Sequence, residues 1–68
     1  MNNQTLVTIL WINDCGETLY EEVLSAGAVW DIIANDIRAV WNRYVLPSGD
    51  VVDAVQFAHW YHQELEPT

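Results

Sequence analysis

Between Ala28 and Val45 the chain gathers most of its large apolar residues at helical spacing, and no other stretch restricts the fold as strongly. Wound at about 100° per residue, Val29, Trp30, Ile33, Ala34, Ile37, Val40, Trp41, Tyr44 and Val45 share one arc, with Asp31, Asn35, Arg38 and Asn42 opposite. The pattern predicts one amphipathic helix over 28–45, about 27 Å long at ~1.5 Å per residue. Ile33 and Ile37 fall at the middle of the arc and are expected in the core. The remaining segments must pack on this helix or be carried by it.

Those segments are short. Residues 5–12, Thr-Leu-Val-Thr-Ile-Leu-Trp-Ile, are rich in β-branched and aromatic types and end at the turn-forming Asn13-Asp-Cys-Gly16, which predicts a strand and a turn. A buried helix is the alternative, because period alone does not separate the two in so short a run. Thr18-Leu-Tyr-Glu21 has the form of a capping box and predicts a helix start, with Leu19, Tyr20, Val23 and Leu24 facing inward. A strand over 18–24 pairing with 5–12 ranks lower, since it would mix Leu19, Glu21 and Val23 on one face. After the central helix, Leu46-Pro-Ser-Gly49 reads as a stop and reversal. A last helix over 51–65 then places Val51, Ala54, Val55, Ala58, Tyr61, His62 and Leu65 inward with Phe57 at the margin, and sends Trp60 outward beside Asp53, Gln56 and Glu64.

The expected fold is therefore mainly α: one small domain over residues 1–68, of two to three helices with one short N-terminal β-strand. The alternative is α+β, with an N-terminal β-hairpin followed by two helices. If 18–24 is helical, the strand is alone and its backbone groups need a neighbour. Leu6, Thr8 and Leu10 are then candidate oligomerisation residues, paired with the same strand of a second copy or with a strand of a partner.

Composition narrows the function classes. A chain of 68 residues buries only about 60% of the surface its unfolded form exposes, so its core is small. Cys15 is the single cysteine, which removes disulfides and, with no leader-type segment in view, predicts a reducing, cytoplasmic setting. The longest apolar run falls far short of the ~20 residues a membrane span needs. Ten acidic residues against two Arg give a net charge of -8, which repels nucleic acid and anionic lipid and attracts basic surfaces. Four Trp are more than a small core easily covers, which points to a protein interface.

Little in the sequence suggests chemistry. His59 and His62 have ligand-like spacing, but two ligands do not make a metal site and no third is demanded. Cys15 lies between Asp14 and Glu17, which disfavour its thiolate. Gly16, Gly27 and Gly49 are isolated and form no phosphate loop. The expectation is no enzyme, no catalytic residue, no metal and no cofactor.

The first functional reading is a small acidic module that binds another protein. Trp60 would be an aromatic anchor in a rim of Asp53, Gln56 and Glu64, with Trp11 and Asp14 as a second candidate surface. In composition the chain is similar to the very small acidic inhibitors encoded by phages and other mobile elements, including anti-CRISPR proteins and other host-takeover factors. That likeness implies an inhibitor or modulator that docks on a protein with a basic surface, such as one in a nucleic-acid-binding complex. A second reading is a nucleic-acid mimic that occupies a DNA- or RNA-binding groove with its carboxylates. A third is a homodimer with a structural or assembly role.

Overall fold

Strand β1, Leu6–Ile12, alternates strictly: Val7, Ile9 and Trp11 are buried, and the residues between them are not. That period of two makes it a strand with one face on a core. The computed structural model describes residues 4–64. In it β1 has neighbours on both sides, in an antiparallel sheet of order β2-β1-β3-β4, with β2 at Thr18–Ser25, β3 at Arg43–Val45 and β4 at Val51–Val52. Helices α1, Ala26–Asn35, and α2, Ala54–Glu64, complete a small α+β fold. This overturns the expectation of a mainly α domain with a single strand, and it also carries two strands that the α+β alternative lacked.

Residues 18–24 are strand, not helix. The β1–β2 register pairs Val7 with Leu24, Thr8 with Val23, Ile9 with Glu22 and Leu10 with Glu21. Pairing satisfies every second backbone group of β1 within the chain, which outweighs the two amides a capping box would satisfy. The connecting turn is fixed by Asn13, whose Oδ1 accepts from the Cys15 and Glu17 amides at 3.0 and 2.9 Å. Gly16 there has φ +88°, a left-handed conformation that other residues adopt only with strain. The mixed face that argued against the strand is real: Leu19, Glu21 and Val23 are all exposed.

The predicted central helix is three elements. α1 ends at Asn35, whose side chain turns back to donate to the Asp31 carbonyl at 2.8 Å. Asp36 is extended, and its Oδ1 accepts from the Arg38 amide at 2.9 Å, starting a short 3-10 turn over Ile37–Val40. Asn and Asp compete for backbone groups in this way, and two together end the helix that the apolar arc would continue. Ile37 consequently lies 82% exposed and outside the core. Beyond the turn, β3 pairs with β1, matching Ile9 with Tyr44, and the Tyr44 hydroxyl donates to the Ala39 carbonyl at 3.0 Å.

The last predicted helix begins later than expected. Val51 and Val52 form β4, joined to β3 by a turn in which the Leu46 amide donates to the Asp50 carbonyl at 2.9 Å and Gly49 has φ +95°. α2 then turns Phe57 and Tyr61 into the core, while Val55 and His62 are exposed; Leu65 lies outside the described residues.

Both helices lie on one face of the sheet. Val7, Ile9, Trp11 and Tyr44 from the strands meet Ala26 and Val29 of α1 and Phe57 and Tyr61 of α2. Leu6, Thr8 and Leu10 point to the other face, which no described element covers. Their expected role in strand pairing with a second copy is corrected, since both edges of β1 are occupied by β2 and β3.

Candidate functional site

The four tryptophans have separate fates. Trp11 is 6% exposed, donates its indole N–H to Glu22 Oε1 at 3.2 Å, and lies under the Arg38 guanidinium 4.9 Å from the ring centroid. Trp30 stacks on Tyr61 with centroids 5.0 Å apart. Trp60 is half-buried against Phe57, 5.4 Å between centroids, so the fully exposed anchor expected at this position is absent. Trp41, placed by the sequence pattern inside the central helix, is the most exposed of the four indoles, at 40%.

Of the residues grouped around Trp60, Asp53 and Gln56 bond to each other. Asp53 Oδ1 accepts from the Gln56 amide at 2.8 Å, and Gln56 Oε1 accepts from the Asp53 amide at 3.2 Å. This reciprocal pair caps the start of α2, a local structural task. Glu64 is exposed at the far end of the same helix. Of the second candidate surface, Trp11 belongs to the core, whereas Asp14 sits on the exposed β1–β2 turn.

Trp41 and Asp14 share one surface. They line one open groove of about 290 Å³ with Ile12, Asn13, Gly16, Val40 and Arg43. A smaller groove of about 140 Å³, lined by Val40, Arg43, Asp53, Ala54 and Val55, adjoins it through the two shared residues. Val40 and Arg43 thus divide the two hollows, with Asp14 on one side and Asp53 on the other. Side chains three apart eclipse on a 3-10 turn, so Ile37 and Val40 form one ridge. Ile37, Val40 and Val55 are all more than two-thirds exposed, an apolar concentration that a solvated surface does not require.

The 3-10 turn that presents this ridge is held firmly at its base. Tyr44 and Asn42 beneath it are fully buried, and Asn42 Oδ1 accepts from the Ile12 amide at 3.1 Å, joining the turn to the end of β1. At the front, Arg38 makes an ion pair with Asp36 at 2.8 Å. The Arg38 side chain, and then its backbone amide, hold the Asp36 carboxyl below the usual carboxylate range. Burial pushes the Tyr44 phenol above its ordinary value. Sequence reasoning missed this site because it assigned Val40 and Trp41 to a helical core face; the signal was Asn35-Asp36, a pair suited to ending a helix.

Cys15 is exposed, and the described residues contain no group of three His, Cys, Asp or Glu side chains positioned to share a metal ion. His59 Nε2 lies 3.0 Å from Gln63 Nε2, while the His62 ring meets Trp30 edge-on at 5.0 Å, so the two imidazoles have different neighbours. Among the described residues no helix is long and apolar enough to cross a membrane. No protein-family model, curated protein or solved structure matches the chain.

Proposed function

We propose that this chain is a non-enzymatic protein-binding module, docking on a protein with a basic surface and acting as its inhibitor or modulator. The observation that carries the reading is the exposed Trp41 beside Val40, in paired grooves with an aspartate on each side. An indole and a branched apolar ridge supply the desolvated centre of an interface. Carboxylates around it, with the net charge of -8, speed the approach of a basic partner.

The carboxylates favour this reading over nucleic-acid mimicry. Asp36 is paired with Arg38, Glu22 accepts from the Trp11 indole, Asp53 caps α2 and Asp50 accepts from Ser48 at 3.0 Å. Groups committed to internal bonds are poorly placed to act as a row of phosphates.

The test compares capture by the immobilised chain and by its Trp41→Ala variant in extract of the source cell, followed by affinity measurement on the purified captured protein. The variant should melt close to the parent and bind at least about tenfold more weakly, the loss typical of a central interface aromatic. Capture unaffected by Trp41→Ala would reject this surface as the docking site.

A further inference from the structure

The face of the sheet turned away from the helices is the largest unassigned feature of the molecule. Cross-strand partners share a face, so the register lays out its rows. One row reads Val23, Thr8, Val45 and Val51 across the four strands, and the next reads Glu21, Leu10 and Arg43. Leu6 precedes Thr8 on the same side of β1. Leu6, Val23 and Val51 are each more than half exposed, and no described element packs over them. Although the chain is strongly acidic, these rows carry one carboxylate and one guanidinium. Among the described residues neither Glu21 nor Arg43 forms an ion pair. The Arg43 Nη1 donates to the Asn42 carbonyl at 2.8 Å, which leaves its other donors available.

We propose that this face is the interface of a homodimer, two sheets packed face to face about a two-fold axis running along β1. The row Glu21, Leu10, Arg43 is what selects a second copy as the occupant. Strands lie ~4.8 Å apart, so Glu21 and Arg43 stand at equal distances on either side of Leu10. Rotation about an axis along β1 exchanges the two sides. It sets Glu21 of one protomer over Arg43 of its partner, twice, and Val23 over Val45, while Leu6, Thr8 and Leu10 meet their own copies. An isologous interface must be self-complementary in this sense. The offset of about 30° usual for stacked sheets leaves these contacts close to the axis intact.

Other occupants fit less well. A basic protein drawn by the overall charge finds almost no excess negative charge in these rows. Pairing between the exposed edges of two β2 strands, centred on Glu21 and Glu22, brings like charges together. Under this axis β1 overlies its own copy over ~23 Å and the three-residue β3 overlies β2 of the other protomer twice, over ~10 Å each, about 200 Å² in plan, while β4 lies beyond the overlap. That is roughly a quarter of the ~800 Å² each partner contributes to a standard interface. The dimer is accordingly a reversible one that forms with concentration. It shares Arg43 with the grooves beside Trp41, whereas Glu21, Leu6, Thr8 and Leu10 lie outside them.

Sedimentation velocity over about 5–500 μM, at physiological salt, provides the baseline for a charge-exchange test. Glu21→Arg alone sets Arg over Arg, and Arg43→Glu alone sets Glu over Glu, so each should weaken dimerisation by about tenfold or more. An equimolar mixture of the two single variants restores opposite charges at both contacts and should dimerise within about threefold of the parent. Circular dichroism of each single variant checks that it is folded. If a variant unfolds, Glu21→Gln and Arg43→Gln serve, both expected to weaken the dimer. A chain that stays monomeric throughout overturns the proposal. So does a dimer indifferent to every exchange, or one that Trp41→Ala dissolves while the exchanges do not.

Discussion

Asn42 illustrates how far a single side chain can stand from its place in a sequence pattern. On a helical wheel it belongs to the wet side, yet it is fully buried, with Oδ1 accepting from the Ile12 amide at 3.1 Å and Nδ2 lacking a hydrogen-bond partner. Asn42→Ala would leave the Ile12 amide without its acceptor, an expected loss of about 1–3 kcal/mol, measurable by urea unfolding. Tyr44, its buried neighbour, makes a pH prediction whose sign follows from the raised phenol pKa. The folded protein holds this proton more tightly than the unfolded chain does. Its contribution is complete below the ordinary value of about 10 and is lost as pH rises through the higher folded value. Melting temperatures taken from pH 9 upward should therefore fall, and Tyr44→Phe should fall less steeply over the same range. Asp36 has the opposite sign: its lowered pKa contributes stability above the usual carboxylate range and loses it as pH drops below that range.

At the scale of elements, the sequence was legible where period and turn chemistry agreed. β1 and its Asn13–Gly16 turn combine β-branched residues with strong turn formers, and strand and turn lie where expected. Over 28–45 the apolar arc suggested one helix, but Asn35 and Asp36 bind backbone groups and divide it, so the residues beyond serve a turn and a strand. Residues 18–24 were misread because the capping-box pattern and the mixed face of Leu19, Glu21 and Val23 were weighed above the backbone pairing that β1 gains within the chain. Of the candidate site, Asp14 and the idea of an exposed indole were accessible; Trp41 was not, because its exposure depends on the break at Asp36. The division yields a direct comparison. Ile37→Ala should alter stability by no more than about 0.5 kcal/mol, as expected for an exposed side chain. Val29→Ala, fully buried in α1, should cost about 2 kcal/mol through lost burial and a residual cavity. Equal losses in chemical denaturation would show that the helix continues through Asp36.

For the whole molecule, charge and shape act in opposite directions on assembly, and their magnitudes decide what salt does. Two copies of net charge -8 held face to face, with centres ~20 Å apart, repel by several kcal/mol at ~10 mM salt, where the screening length is about 30 Å. Near 150 mM that length is about 8 Å and the repulsion falls to about 1 kcal/mol. The two Glu21–Arg43 contacts also weaken with salt, but surface pairs of this kind contribute only about 0–1 kcal/mol each. Relief of the long-range repulsion wins. Self-association should therefore strengthen as salt rises from ~10 to ~150 mM, whereas association with a basic partner at the Trp41 surface should slow, because the same field that keeps copies apart draws that partner in. Sedimentation and association-rate measurements across one salt series check both signs on one preparation. A dimer that weakens steadily with added salt would mean that its interface is held by charge, not by the apolar rows of the open sheet face.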